Sequence, residues 1–355
     1  MLGVGDEGAV RAAFALQAEA CAKLGSPFTA RLCEAIGPHL DGATEVGRRI
    51  LTWPGNPDAL HDSVPLRLAG GLHALVRRDR LPDLAALYPP HALPDAARLW
   101  GAVAAAFREA EPELLAWLDR PPQTNEVARS AVLMAGLAVV AAETGLPIAL
   151  HELGASAGLN LLPDRYACRL GTKVYGDPTS TLVLAPAYEG ESPPDTSPAI
   201  AVRRGVDRNP LSVRDPAHRE RLLAYVWPDQ TERLARLETA LAIATLDPPT
   251  VDEADAADWI ESELEPSPVR GLCRMVQHSI AFQYFPAASQ ERIRRWIERA
   301  GAAAETDAPV AWISYEIDSA AAGGRPSLRL RLWPGGEERV LATADAHGRR
   351  MRWLG

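Results

Sequence analysis

The run Pro147-Ile-Ala-Leu-His-Glu-Leu-Gly-Ala-Ser-Ala-Gly-Leu-Asn160 constrains the fold more than any other stretch of this chain. A short apolar strand reaches a carboxylate at Glu152, turns through Gly154 and Gly158, and is expected to open a helix over 157–162. Such a turn brings backbone close to a ligand, because glycine carries no Cβ and helix-start N–H groups face outward. The same letters spell Gly-x-Ser-x-Gly, the nucleophile elbow of serine hydrolases, centred on Ser156. The two readings demand different surroundings. The elbow needs several strands upstream, whereas a nucleotide-binding α/β turn needs acidic strand ends downstream.

Upstream of Pro147 the pattern is helical. Apolar residues recur at three-to-four spacing over 7–24, 27–40, 95–118 and 125–144. The third stretch is expected to kink or restart at Pro112, and the fourth to start on Thr124 or Asn125 as N-cap and stop at Gly145. Downstream, strands are expected at Ile148–Leu153, 199–206, 250–256, 269–278 and 309–317, with a long helical stretch over 216–245 and a helix over 289–302. Residues 165–195 read as an inserted hairpin. Segments 327–333 and 338–344 alternate with period two around Pro334-Gly-Gly336, a hairpin signal. The expected organisation is a helical N-terminal cap domain, 1–122, and an α/β domain, 123–355, with a mostly parallel sheet and one reversed edge strand.

Composition narrows the function classes. At 355 residues the chain has ample core, and no apolar run approaches the ~20 residues of a membrane span. The acidic N-terminus lacks a charged region followed by an apolar one, so no secretion signal is expected. Cys21, Cys33, Cys168 and Cys273 lie far apart and form no C-x-x-C pair, which fits reduced cytoplasmic thiols. The eight histidines are scattered without H-x-x-x-H spacing, so no metal is expected. A net charge of −9 argues against nucleic acid and leaves a small molecule or a protein as partner. Oligomeric state is not legible.

Three acidic residues follow strands in order. After Glu152 comes Asp207, in Gly205-Val-Asp-Arg-Asn-Pro210, where a carboxylate accepts from ribose hydroxyls; Asp177 is the alternative. Asp255 follows the third strand. Either Asp207 or Asp255 also suits a plain helix N-cap. His278-Ser279 closes the fourth strand, and His278 is a general base or a core histidine bonded to backbone. Tyr284 walls the site or fills core. Gln123-Thr-Asn-Glu126 lines the pocket or caps the helix behind it. For a hydrolase the order Ser156, Asp318, His347 is correct, but the helical upstream region and the lack of a His-Gly-Gly-Gly loop count against it.

The segment from Glu152 to Gly158 resembles the acidic-x-Gly-x-Gly-x-Gly segment of class I methyltransferases that use S-adenosylmethionine (SAM), with Ser156 at the middle glycine. The chain as a whole resembles the bacterial domain-of-unknown-function family 2332. The matching stretches are Gln123-Thr-Asn-Glu126, Leu150-His-Glu-Leu-Gly-Ala-Ser-Ala-Gly-Leu-Asn160, Asp164-Arg-Tyr166, Gly176-Asp-Pro178, Arg204-Gly-Val-Asp-Arg-Asn-Pro210, Val226-Trp-Pro228, Val276-Gln-His-Ser279 with Tyr284, and His347-Gly348. The resemblance implies a helical N-terminal region followed by a Rossmann-like, seven-stranded methyltransferase-type sheet with a C-terminal antiparallel hairpin. It implies no established substrate. On this reading Glu152, Gly154, Ser156, Gly158, Asp207 and Asp255 hold SAM, while His278 and Tyr284 face a small-molecule or protein acceptor. The rivals are a Ser156 hydrolase and a non-catalytic ligand-binding or scaffold protein of the same fold.

Overall fold

The structure is a computed structural model and describes residues 6–264, 267–317 and 324–355. The chain divides into two units. The first comprises the described residues up to Thr124 together with Pro216–Glu238; the second comprises Asn125–Asp215 and Thr239–Gly355. The first unit thus recruits a segment from within the α/β half as well as the N-terminal helices.

In the first unit α1 (Glu7–Lys23), α2 (Pro27–His39), α3 (Glu45–Leu51), α4 (Val64–Arg77), α5 (Pro82–Ala85), α6 (Ala96–Glu109) and α7 (Glu111–Leu118) surround a core that includes Phe14, Leu32, Ile36, Leu68, Leu72 and Phe107. The helices over 45–51 and 64–77 were not foreseen in the sequence. The restart expected near Pro112 falls between α6 and α7, where Pro112 sits in the first turn. The stretch expected as one helix over 216–245 is two, α9 (Pro216–Ala224) and α10 (Thr231–Leu246), parted at Trp227-Pro-Asp229. Asp229 in that break accepts from Ser26 Oγ and from the Phe28 N–H at 2.8 Å, which holds the start of α2. α9 joins α4 through His73 Nδ1 and the Ala224 carbonyl at 3.1 Å and through Arg77 and Glu220 at 2.9 Å.

The second unit carries α8 (Arg129–Thr144), α11 (Ala256–Glu263), α12 (Ala287–Ala302) and twelve strands among its described residues. These are β1 (Ile148–Leu153), β2 (Ala167–Leu170), β3 (Lys173–Gly176), β4 (Val183–Leu184), β5 (Ala187–Glu189), β6 (Ile200–Asp207), β7 (Thr250–Glu253), β8 (Cys273–Ser279), β9 (Val310–Ile317), β10 (Pro326–Trp333), β11 (Glu338–Ala344) and β12 (Arg350–Trp353). Nine form one sheet in the order β5-β12-β11-β10-β9-β8-β1-β6-β7; β3, β2 and β4 form a small second sheet. From β7 across to β9 every pairing is parallel, and β10, β11 and β12 then follow in antiparallel pairings. The seven strands expected are corrected to nine. The single reversed strand becomes a meander, and β5, from the inserted segment, covers the last edge by pairing with β12.

Helices cover both faces. α8 is buried at every residue from Ser130 to Ala141, which accounts for its apolar character all round, and a Cβ on Gly136 would stand 2.5 Å from Ile313 Cδ1 of β9. On the other face Trp259 and Ile260 of α11 pack with Ile293 and Trp296 of α12 against Leu153, Val206 and Val276.

β1 to β6 to β7 proceeds to one side, and the chain then returns to place β8 on the other side of β1. This switch point, at the carboxyl ends of β1 and β8, is where ligands of parallel α/β sheets bind. Its geometry depends on Gly205 in β6, where a Cβ would stand 2.6 Å from Ala155 Cβ and 3.1 Å from Leu161 Cδ1. Gly205→Ala is therefore expected to lower stability by about 1–3 kcal/mol through overpacking. Urea unfolding checks this, and an unchanged midpoint would contradict the close packing of the β1 loop on β6.

Candidate functional site

β1 is buried at all six positions. Beyond it Gly154, Ser156 and Gly158 all take left-handed backbone, with φ of 73°, 55° and 75°. Right-handed helix cannot start through such residues, and only two short 3-10 turns follow, Leu159–Leu161 and Pro163–Arg165. The α-helix expected over 157–162 is absent, and with it the outward-facing helix-start amides.

The N–H groups of this loop are used within the protein. Gly154 and Ala155 donate to the Val206 carbonyl at 2.9 and 3.0 Å, and Gly158 donates to the Ala155 carbonyl at 2.8 Å. Ser156 donates to Asp207 Oδ2 at 2.9 Å. Ala157 and Leu159 donate to Asn125 Oδ1 at 3.3 and 2.9 Å. Asn125 is therefore a partner of the loop and not the N-cap of α8, which starts at Arg129 after Ala128 with no side-chain cap. The space that the glycines leave is also filled. A Cβ on Gly154 would lie 2.7 Å from Ala281 Cβ, and one on Gly158 would lie 2.7 Å from Pro249 Cγ.

What this arrangement leaves without partners is a set of buried oxygens. Glu152 pairs in register with Gln277 of β8, so the two side chains share the α8 face of the sheet. Gln277 Nε2 donates to the Asn160 carbonyl at 3.1 Å, and Ser130 Oγ donates to Asn160 Oδ1 at 2.7 Å. Glu152 Oε2, Gln277 Oε1 and Ser156 Oγ are buried with no hydrogen-bond partner. Burial pushes the Glu152 carboxyl up to about 8; Asp207 adds to the rise, while Arg129 and a hydrogen bond with Gln277 oppose it. Perturbed carboxyls of this kind, in a cluster at strand ends, mark candidate functional sites.

His278 lies one position on and faces the opposite side of the sheet. Its Nδ1 is 2.8 Å from Glu316 Oε1, and its Nε2 accepts from Trp312 Nε1 at 3.0 Å. The Trp312 bond assigns the ring proton to Nδ1, directed at Glu316. Both ring nitrogens are thus engaged, and Phe282 stacks on the ring at 4.5 Å. Glu316 Oε1 also accepts from the N–H groups of Ala281 and Phe282, both at 3.1 Å. Burial works against its ionisation, but these donors outweigh burial and hold its pKa below the ordinary carboxylate value.

The other expected residues fall as follows. Asp207 ends β6 beside β1, its Oδ1 taking the Asn209 N–H at 2.9 Å. Asp177 lies in a turn after β3 of the small sheet, where it accepts from Thr179. Asp255 caps α11, accepting from Ala257 and Asp258. Tyr284 is 62% exposed on a 3-10 turn. His347 lies in the loop between β11 and β12, while Asp318 is outside the described residues. Among the described residues no group of three metal-ligating side chains occurs, and no helix is long and apolar enough to cross a membrane.

Arg129, Asn160, Gln277 and Glu316 were not singled out in the sequence. Arg129 bonds the carbonyls of Ser279 and Ala346 at 3.0 and 2.9 Å, across 150 and 217 positions, a link with no local signature.

The Glu152 carboxyl has a measurable consequence. In the unfolded chain it ionises near 4.5, in the fold near 8. Its contribution to stability is therefore full below pH 4.5 and is lost progressively up to pH 8. Relative to wild type, Glu152→Gln should gain at most about 1.4 kcal/mol per pH unit across that window and level off above it. Denaturation midpoints of the two proteins from pH 5 to 9 check this. A difference that does not change with pH would mean that the carboxyl is ionised inside the fold.

No curated protein matches the chain, and no solved structure does. The family model described as "uncharacterized protein conserved in bacteria (DUF2332)" matches residues 11–353, and the chain belongs to that family.

Proposed function

We propose that the carboxyl edge of β1, β6 and β8 binds SAM and that the protein transfers its methyl group to a small-molecule or protein acceptor. The carrying observation is the pair of unpartnered buried acceptors, Glu152 Oε2 and Gln277 Oε1, on neighbouring strands at the switch point. Buried acceptors without donors are costly, and a ligand that brings an ammonium or hydroxyl removes that cost. The strand order β7-β6-β1-β8-β9 supports the reading, because it matches the order of the parallel half of doubly wound nucleotide-binding sheets.

Residue by residue, the fit differs from the motif reading. Glu152, Gln277 and Ser156 offer unused polar atoms. Asp207 binds two backbone N–H groups and retains lone pairs for ribose hydroxyls. Gly154 and Gly158 serve the turn and its packing, and Asp255 serves α11. When bound, SAM supplies an electrophilic methyl on a sulfonium. The chain's part is to orient the reacting groups and exclude water, since positioning supplies most of the rate effect in such transfers. Any use of His278 as a base requires Trp312 to release its Nε2. Four buried free thiols support a reducing, cytoplasmic setting.

One observation favours a second reading. Ser156 has the left-handed backbone of a nucleophile elbow, but its Oγ is buried and has no base beside it, where an elbow serine is exposed and bonded to one. The absence of a helix behind it weighs against an elbow.

Calorimetry with SAM tests the first reading. Binding is expected, weakened by roughly tenfold or more in Glu152→Gln, which cannot supply the carboxylate that a ligand ammonium would draw into its ionised form. No binding to folded protein would remove the methyltransferase reading. Labelling by a fluorophosphonate that disappears in Ser156→Ala would then establish the second.

A further inference from the structure

The antiparallel end of the same carboxyl edge holds a hollow of about 730 Å³, lined by Tyr188, Glu189, Arg325, Asp345, Arg350 and Arg352 among others. Because β10 and β12 run against β9, their starts lie at the edge where β9 ends, and so Arg325 and Arg350 stand there. The loop at Asp345 is fixed to the sheet: Tyr315 Oη donates to the Asp345 carbonyl and Arg129 Nε to that of Ala346.

The guanidinium groups of Arg325, Arg350 and Arg352 make no hydrogen bond or ion pair with the described residues. Asp345 pairs with none of the three: its Oδ1 takes the His347 N–H at 2.9 Å and lies 3.9 Å from Arg349 Nε. Glu189 opposes Arg352 in register and makes no bond of its own. Arg350 and Arg352 flank buried Met351, so both project from one face of β12, about 7 Å apart at the rise of a strand. Linked phosphoryl groups offer enough oxygens to engage both guanidinium groups at once, and guanidinium forks match those oxygens. The volume suits a small metabolite.

We propose that this hollow binds a diphosphate-bearing small molecule through Arg325, Arg350 and Arg352. The site stands apart from Glu152 and does not depend on SAM binding.

Inorganic pyrophosphate is the probe, titrated calorimetrically into the full chain at low salt. Arg350→Ala/Arg352→Ala removes two exposed side chains from a strand that keeps its backbone pairing. Binding is expected to fall at least about tenfold in that variant. It should persist in Arg295→Ala/Arg299→Ala, which removes the same charge from the exposed side of α12. Glu189→Gln should tighten binding by removing an opposing charge, an effect that loss of fold would not produce. Absence of pyrophosphate binding, or equal loss in both double variants, would overturn the proposal.

Discussion

Everything at the carboxyl edge of this sheet depends on how one irregular buried loop satisfies its backbone N–H groups. A helix after β1 would have aligned those groups along its axis. Instead, three left-handed residues turn the chain so that Asp207 must accept from Ser156, and Asn125 from Ala157 and Leu159. Each bond lost would leave a buried donor at a cost of about 1–3 kcal/mol. Asp207 and Asn125 are therefore structural first. A variant at Asp207 disturbs the loop before it disturbs any ligand, whereas Glu152 supports no loop amide and reports on the site itself.

The two-residue period of the strands sorts the remaining polar groups by face. Glu152, Gln277 and Asn160 gather beside α8, and His278, Trp312 and Glu316 beside α11 and α12. The two carboxyls are pushed in opposite directions. Glu152 is desolvated with no strong donor and favours its neutral form; Glu316 receives a ring N–H and two backbone N–H groups and favours its anion. Each keeps one buried oxygen without a partner. A carboxylic acid and a carboxylate thus sit near one sheet edge, kept distinct by the sheet between them.

β1 and β8 were legible because burial throughout makes them short runs closed by polar or glycine residues, whereas β6, half-exposed and carrying Arg203 and Arg204, was legible from the Gly205–Pro210 turn that ends it. The meander was legible in part: 327–333 and 338–344 showed their alternation, but β12 and β5 are too short to show any. Helices α3 and α4 hid in a segment with prolines at both ends, where Pro65 at the start of α4 in fact favours its first turn. At the site Glu152 and Asp207 could be read from position in the chain. Asn125 as a loop partner, Arg129 as a bridge and Glu316 as the partner of His278 could not, because each acts across tens or hundreds of positions and shows no spacing of its own. The glycines illustrate the same limit. Their pattern announces a tight turn, but whether ligand or protein fills the space beside them is decided by Ala281 and Pro249, which the pattern does not contain.

Strand direction then explains how charge is distributed along the edge. Parallel strands present their ends there, and those ends carry Glu152, Asp207 and, just beyond β7, Asp255. Reversed strands present their starts, and those carry Arg325 and Arg350. One edge therefore runs from acidic to basic, although the whole chain carries a net charge of −9. Along such an edge a donor-rich group would be favoured at the switch point and an anionic group at the meander, through attraction to side chains of opposite sign. Adding the meander to the parallel half does more than widen the sheet: it places Arg325 and Arg350 at the same edge.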